Sequence, residues 1–205
     1  MESLSEPRIV WGVALRAHPA QSVLGDAYLV KPLGNGLLIA VADGLGHGSE
    51  AAAVGSLCVD TLSANADRPL PAMLALCHEI LRGTRVVTVS VAAFDYARNE
   101  MTWSGLGNVM GALFRADPAA RPKSENLVQR PGVLGSGTPA FVAPRLPVRH
   151  DDLLVLATDG IDPEFERSVD RGRAPQAIAE RILADHAKDT DDALVLVARY
   201  GGIRA

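Results

Sequence analysis

Three apolar runs in this chain meet an aspartate at one end, and a fourth aspartate opens a shorter run. Leu37-Leu38-Ile39-Ala40-Val41-Ala42 leads into Asp43, and Leu153-Leu154-Val155-Leu156-Ala157-Thr158 leads into Asp159. Asp191-Asp192 precedes Ala193-Leu194-Val195-Leu196-Val197, while Asp26 follows Gly25 and begins Asp26-Ala27-Tyr28-Leu29-Val30. An uninterrupted apolar run of this length reads as a buried strand. A carboxylate at its end is half-buried on a fixed backbone. Several such carboxylates converging in one cleft repel one another, and their desolvation is unfavourable. A hard divalent cation resolves that conflict, and oxygen-only ligands suit magnesium or manganese.

The remaining pattern is mostly strand with a few helices. Strands are expected over Ile9–Ala17, Asp26–Lys31, Leu37–Ala42, Val86–Phe94, Met101–Ser104, Val109–Phe114, Asp152–Ala157 and Ala193–Tyr200. Pro32–Gly36 is turn chemistry, with Gly34-Asn35-Gly36 offering positive-φ positions. A helix is expected from an N-cap at Ser49 to about Asn65, its stripe formed by Val54, Leu57, Cys58, Thr61 and Leu62. A second starts at Pro71 and ends near Arg82-Gly83, Pro163–Ser168 reads as a helical turn, and a third helix spans Ala174–Ala187. Strands and helices do not alternate one for one, which argues against a doubly wound parallel sheet and for an antiparallel α+β layer fold. Trp11 and Trp103 read as core residues.

The length of 205 residues suggests one domain over 1–205, and 48% hydrophobic residues suffice for a core. The net charge of −4 and the lack of any Lys/Arg-rich run argue against nucleic acid as a partner. No apolar stretch approaches the roughly 18 residues of a membrane span, and the polar N-terminus has no secretory core. A cytoplasmic, monomeric chain that does not enter the membrane is expected. Cys58 and Cys77 lack C-x-x-C spacing and read as buried reduced thiols.

Taken singly, the aspartate motifs leave several readings open. Asp43-Gly44-Leu45-Gly46-His47-Gly48 could be a packing turn, a phosphate-binding turn at a helix start, or a metal site. It has neither the Gly-Lys-Ser/Thr of a Walker loop nor a dinucleotide fingerprint. Asp159-Gly160 could be a tight turn, and Asp191-Asp192 a solvated pair. No G-x-S-x-G elbow supports a serine hydrolase. The set is more specific than its parts, because each member sits at a strand end.

Val41-Ala42-Asp43-Gly44-Leu45-Gly46-His47-Gly48, Ala157-Thr158-Asp159-Gly160 and Asp191-Asp192-Ala193-Leu194-Val195 together resemble the signature blocks of the PPM-type (type 2C-like) serine/threonine phosphatases. The D-G-L-G-H-G form and the double aspartate resemble the SpoIIE/RsbX branch, and the short length looks most like RsbX. The resemblance implies an α-β-β-α sandwich of two mainly antiparallel sheets flanked by helices, with two Mn2+ or Mg2+ ions between the sheets. Asp43 would bridge both metals, the Gly44 carbonyl and Asp26 would serve the first, and Asp159 and Asp191 would hold the second. Asp192 would support them from behind, with Gly46 and Asn108 nearby towards the substrate. The implied reaction is hydrolysis of phosphoserine or phosphothreonine by a metal-bridging hydroxide. Its implied partners are phosphorylated scaffold and antagonist proteins of a bacterial stress-response module, the stressosome and its sigma-factor regulators.

The chain departs from that family at three places. Gln21 stands where many members have a phosphate-gripping arginine, and Leu45 where they have a histidine; nearby His47 reads as a catalytic acid or phosphate contact, or as a partly exposed loop histidine. Neutral Asn108 replaces the aspartate of a third metal. Ala116–Glu125 lies where the family often carries a variable flap, and reads either as a substrate-gating element or as a plain surface loop. His18, His78, His150 and His186 are scattered and read as structural or surface residues. Two other readings are a catalytically silent phosphoprotein-binding module of the same fold and a metallophosphatase of small molecules.

Overall fold

The computed structural model describes residues 8–19, 23–46 and 48–202. In chain order the elements are β1 (Ile9–Arg16), β2 (Asp26–Leu33), β3 (Gly36–Gly44), α1 (Ser49–Ala64), α2 (Leu70–Ile80), β4 (Val87–Asp95) and β5 (Glu100–Leu106). They continue with β6 (Met110–Phe114), β7 (Ser124–Asn126), β8 (Arg145–Pro147), β9 (Leu153–Ala157), a 3-10 helix (Pro163–Ser168), α3 (Pro175–His186) and β10 (Ala193–Tyr200). One sheet has the order β1-β10-β9-β6-β7 and the other β2-β3-β4-β5-β8. Every pairing between these strands is antiparallel. The expected α+β sandwich is therefore the observed one.

Period-two alternation sorts the apolar runs into layers. On β3, Leu37, Ile39 and Val41 point between the sheets and meet Leu154, Leu156, Leu194 and Leu196 of the opposite sheet. Leu38, Ala40 and Ala42 point outward, against Val54, Cys58 and Leu62 of α1 and Met73, Leu74 and Cys77 of α2. The other sheet turns Val155, Ala157, Val195 and Val197 outward, against Ile178, Ala179 and Ile182 of α3. Strands buried on both faces have no polar position to spare, which is why their sequences run apolar without a break. Each fully buried Leu, Ile or Val contributes about 1.5–3 kcal/mol relative to exposure.

Several local expectations need correction. Ser49 is the first residue of α1, and the cap is Gly48, at φ 84 with no side-chain hydrogen bond closing the helix. The turn from β3 into α1 is so tight that Gly46, at φ 94, and Gly48 both take left-handed backbone. Conversely, none of Gly34, Asn35 and Gly36 has positive φ: β2 runs through Pro32 to Leu33 before a two-residue loop. Trp103 is buried, but Trp11 is 41% exposed on an edge strand beside Tyr28. Leu57, assigned to the stripe of the first helix, is also exposed. Cys58 and Cys77 are buried free thiols, as expected.

The flap expectation fails for a topological reason. β6 carries the chain away from the aspartates, so that Met110 lies beside Ala157 but Phe114 beside Leu153. Residues 115–123 therefore turn at the far end of the sandwich, roughly 13 Å along β9. There the Ala116 N–H donates to Asp152, and Arg115 pairs with Asp152 and Glu125. The segment that returns to the aspartate end comes later: Arg130 bridges Leu106, and Leu134 bridges Val87.

Candidate metal centre

Alternation along the strands places the carboxylates. Asp43 continues the inward series Leu37, Ile39, Val41, and Asp26 sits directly opposite it across the β2–β3 ladder. Directly opposed side chains have Cβ atoms about 4.5–5.5 Å apart, and like charges there repel. Both residues are buried. On the other sheet, Thr158 and Asp192 extend the inward series of β9 and β10, and Asp159 and Asp191 stand next to them at the same end. Close approach explains the neighbouring glycines: a Cβ on Gly44 would lie 2.2 Å from the Ala51 carbonyl oxygen, and one on Gly160 1.8 Å from that of Asp192.

Hydrogen bonds hold the group. The Thr158 hydroxyl donates to Asp26 Oδ2 at 2.8 Å and accepts from the Leu194 N–H at 2.9 Å. Thr88 Oγ1 lies 3.5 Å from Asp43 Oδ2 and donates to Asn108 Oδ1, while Asn108 Nδ2 donates to Asp159 Oδ2 at 2.6 Å. This thread links Asp43 on one sheet to Asp159 on the other. Asp192 receives the backbone N–H groups of Gly25 and His18, each at 2.7 Å. Lys188 Nζ donates to the Asp159 carbonyl oxygen at 2.6 Å.

The electrostatics record the crowding. Burial first, and the Asp43 charge next, push Asp26 up to about 8, against a pull from the Thr158 hydrogen bond and further pushes from Asp192 and Asp159. Burial and then the charges of Asp159 and Asp191 push Asp43 up to about 7, with Asn108 and Thr88 pulling down. Burial, and to a lesser extent Asp159 and Asp192, also raise Asp191. The charges acting most strongly on Asp26 and Asp43 are those of other aspartates. Buried, mutually repelling, all-oxygen donors fit a hard divalent cation, which would replace repulsion with coordination. Among the described residues no three carboxylate, histidine or cysteine side chains enclose a single point by themselves.

Asp26, Asp43, Gly44, Asp159 and Asp191 thus come to one end of the sandwich, with Asp192 and Asn108 behind them. Asn108 is not left-handed; the preceding Gly107 is, at φ 91. His47 and Gln21 lie outside the described residues. His78, His150 and His186 bond elsewhere, while His18 reaches Asp192 through its backbone N–H. Thr88, Thr158 and Lys188 escaped the sequence reading. A signal existed for the threonines: Thr88 and Ser90 alternate on the inward face of an otherwise apolar strand, and Thr158 ends one.

Residues 34–201 match the family described as Stage II sporulation protein E (SpoIIE). The chain is 22% identical over 175 residues to the phosphoserine phosphatase RsbX of Bacillus subtilis (strain 168), covering 84% of this chain and 85% of that protein. Among solved structures, one from work on the bacterial stressosome as a modular system adapted to control secondary messenger signalling superposes with a TM-score of 0.85, at 25% identity over 94% of this chain and all of that one. RsbX in complex with magnesium superposes with a TM-score of 0.83, at 20% identity over 93% of this chain and 94% of that one.

Proposed function

We propose, from the premise that this chain belongs to the SpoIIE family, that it is a metal-dependent phosphoprotein phosphatase acting on phosphoserine or phosphothreonine. One observation carries the reading: Asp26 and Asp43 oppose each other across a buried ladder, within electrostatic reach of Asp159, and Asp43 also of Asp191, so that the charges acting most strongly on both are other aspartates. The relative named phosphoserine phosphatase and the similar structure from work on the bacterial stressosome support substrates among phosphorylated proteins of a bacterial stress-signalling module.

Asp26, Asp43 and the Gly44 carbonyl would hold one Mg2+ or Mn2+ ion, and Asp43, Asp159 and Asp191 a second. When bound, the ions would supply Lewis-acid stabilisation of phosphoryl oxygens and would bring the pKa of a bound water down to about 7. The chain's own task is orientation. Thr158 fixes the Asp26 carboxylate, and Asn108 turns Asp159 towards Asp43. Lys188 clamps the backbone of Asp159, and Asp192 ties down the loop before Asp26. The whole chain is proposed to work as one phosphatase unit and as a monomer. No helix among the described residues is long and apolar enough to cross a membrane.

The test is release of phosphate from a phosphoserine peptide, p-nitrophenyl phosphate and a sugar phosphate, with manganese or with EDTA. Manganese-dependent turnover favouring the phosphopeptide is expected, with a drop of about 100-fold or more in Asp43→Asn. Turnover that survives both EDTA and Asp43→Asn rejects the mechanism. Metal-loaded protein that binds the phosphopeptide without turnover would instead make it a silent binding module, and preference for the sugar phosphate a small-molecule enzyme.

A further inference from the structure

A phosphate ester approaching this end of the sandwich meets a field of carboxylates and needs a cationic side chain to receive it. Arg16, Lys188 and Arg85 reach the segments that carry the aspartates. Two of them are committed. Lys188 holds the Asp159 carbonyl oxygen, and Arg16 donates to the Lys188 carbonyl at 2.8 Å and to Asp189 at 3.2 Å.

Arg85 is different. It precedes β4, where the Leu45 N–H donates to the Val86 carbonyl at 3.0 Å and fixes the loop after Asp43-Gly44 beside it. Its Nη1 lies 3.4 Å from the Leu45 carbonyl oxygen, at the long end of a hydrogen bond. The same atom would stand 2.7 Å from a Cβ on Gly46, so the guanidinium rests against a stretch of bare backbone two to three residues past Asp43. Its firm partner is Glu50, whose carboxylate accepts from Nε at 2.7 Å and also pairs with Nη2. Those side chains are 45% and 73% exposed. A pair so exposed is worth about 0–1 kcal/mol and exchanges readily. A phosphate dianion offers the fork a stronger, bidentate match than one glutamate.

We propose that Arg85 receives the substrate's phosphate group, leaving Glu50 to do so. The proposal rests on the phosphatase reading, and its test keeps the two apart. The probe is inorganic phosphate, titrated by calorimetry into manganese-loaded protein, alongside KM for p-nitrophenyl phosphate. Arg85→Ala should weaken phosphate binding and raise KM about tenfold or more, with manganese affinity unchanged. Arg85→Lys should recover part of the loss. Glu50→Gln should move both quantities the other way, because it removes Arg85's competitor. That variant also decides the matter if Arg85→Ala fails to fold. Unchanged phosphate affinity in Arg85→Ala overturns the proposal, as does a Glu50→Gln variant that weakens it, since the pair would then only brace the loop. An effect confined to phosphopeptides with acidic flanks overturns it too. Arg85-dependent phosphate binding without turnover would uphold Arg85 and reject the phosphatase reading.

Discussion

At Asp26 two costs coincide: burial, and an aspartate directly across the ladder. Its folded-state pKa of about 8 lies above the ordinary 3.8, so between those values the folded chain binds more protons than the unfolded one. Stability of the metal-free protein therefore falls as pH rises through that window and is fully penalised above it. Melting in EDTA should give a lower Tm at pH 8 than at pH 6, and saturating manganese should reverse the loss. Asp26→Asn keeps an acceptor for Thr158 and removes the charge. It should raise the metal-free Tm at pH 8, by roughly 2–4 °C for each kcal/mol recovered, while shrinking the rise that manganese produces. A metal-free Tm independent of pH, or lowered by Asp26→Asn, contradicts this view of the pair. These aspartates were legible in the sequence because each stands at one end of an apolar run, where a charge is conspicuous. Arg85 and Lys188 were not, because they lie outside those runs and only the fold brings them back to the site.

Among the elements, the strands dictated their own places. β9 is apolar throughout and β10 from Ala193 to Ala198, so both faces had to be covered, and the sandwich follows. At the aspartate end the chain after β9 runs so close to the start of β10 that a Cβ on Gly160 would lie 1.8 Å from the Asp192 carbonyl oxygen. Gly160→Ala cannot be accommodated without moving that backbone. It should destabilise the fold by roughly 1–3 kcal/mol and weaken manganese affinity by displacing Asp191, both measurable by melting and calorimetry. An alanine variant with wild-type metal affinity would show that the β10 end tolerates displacement. Where composition replaced pattern the sequence misled. Ala116–Glu125 has the residues of a mobile cover, yet its location depends on the direction of β6, which no local signal encodes. The helix cap at Ser49 failed similarly, because glycines demanded by the tight turn already occupy the position before it.

The molecule as a whole works by convergence. Two sheets arrive from opposite sides, each delivers carboxylates at the same end, and α1 and α3 seal the outer faces. Neither sheet alone holds the candidate donor set: Asp26, Asp43 and the Gly44 carbonyl come from one, and Asp159 and Asp191 from the other. Asn108 and Thr88 join the halves. Cations bound between the sheets would therefore fasten them together as well as supply chemistry. The most direct measurement is anomalous diffraction from a crystal soaked in manganese. Two peaks are predicted, one against Asp26, Asp43 and the Gly44 carbonyl, and one against Asp43, Asp159 and Asp191. A manganese-saturated crystal with no anomalous density beside Asp43 would contradict the proposed centre.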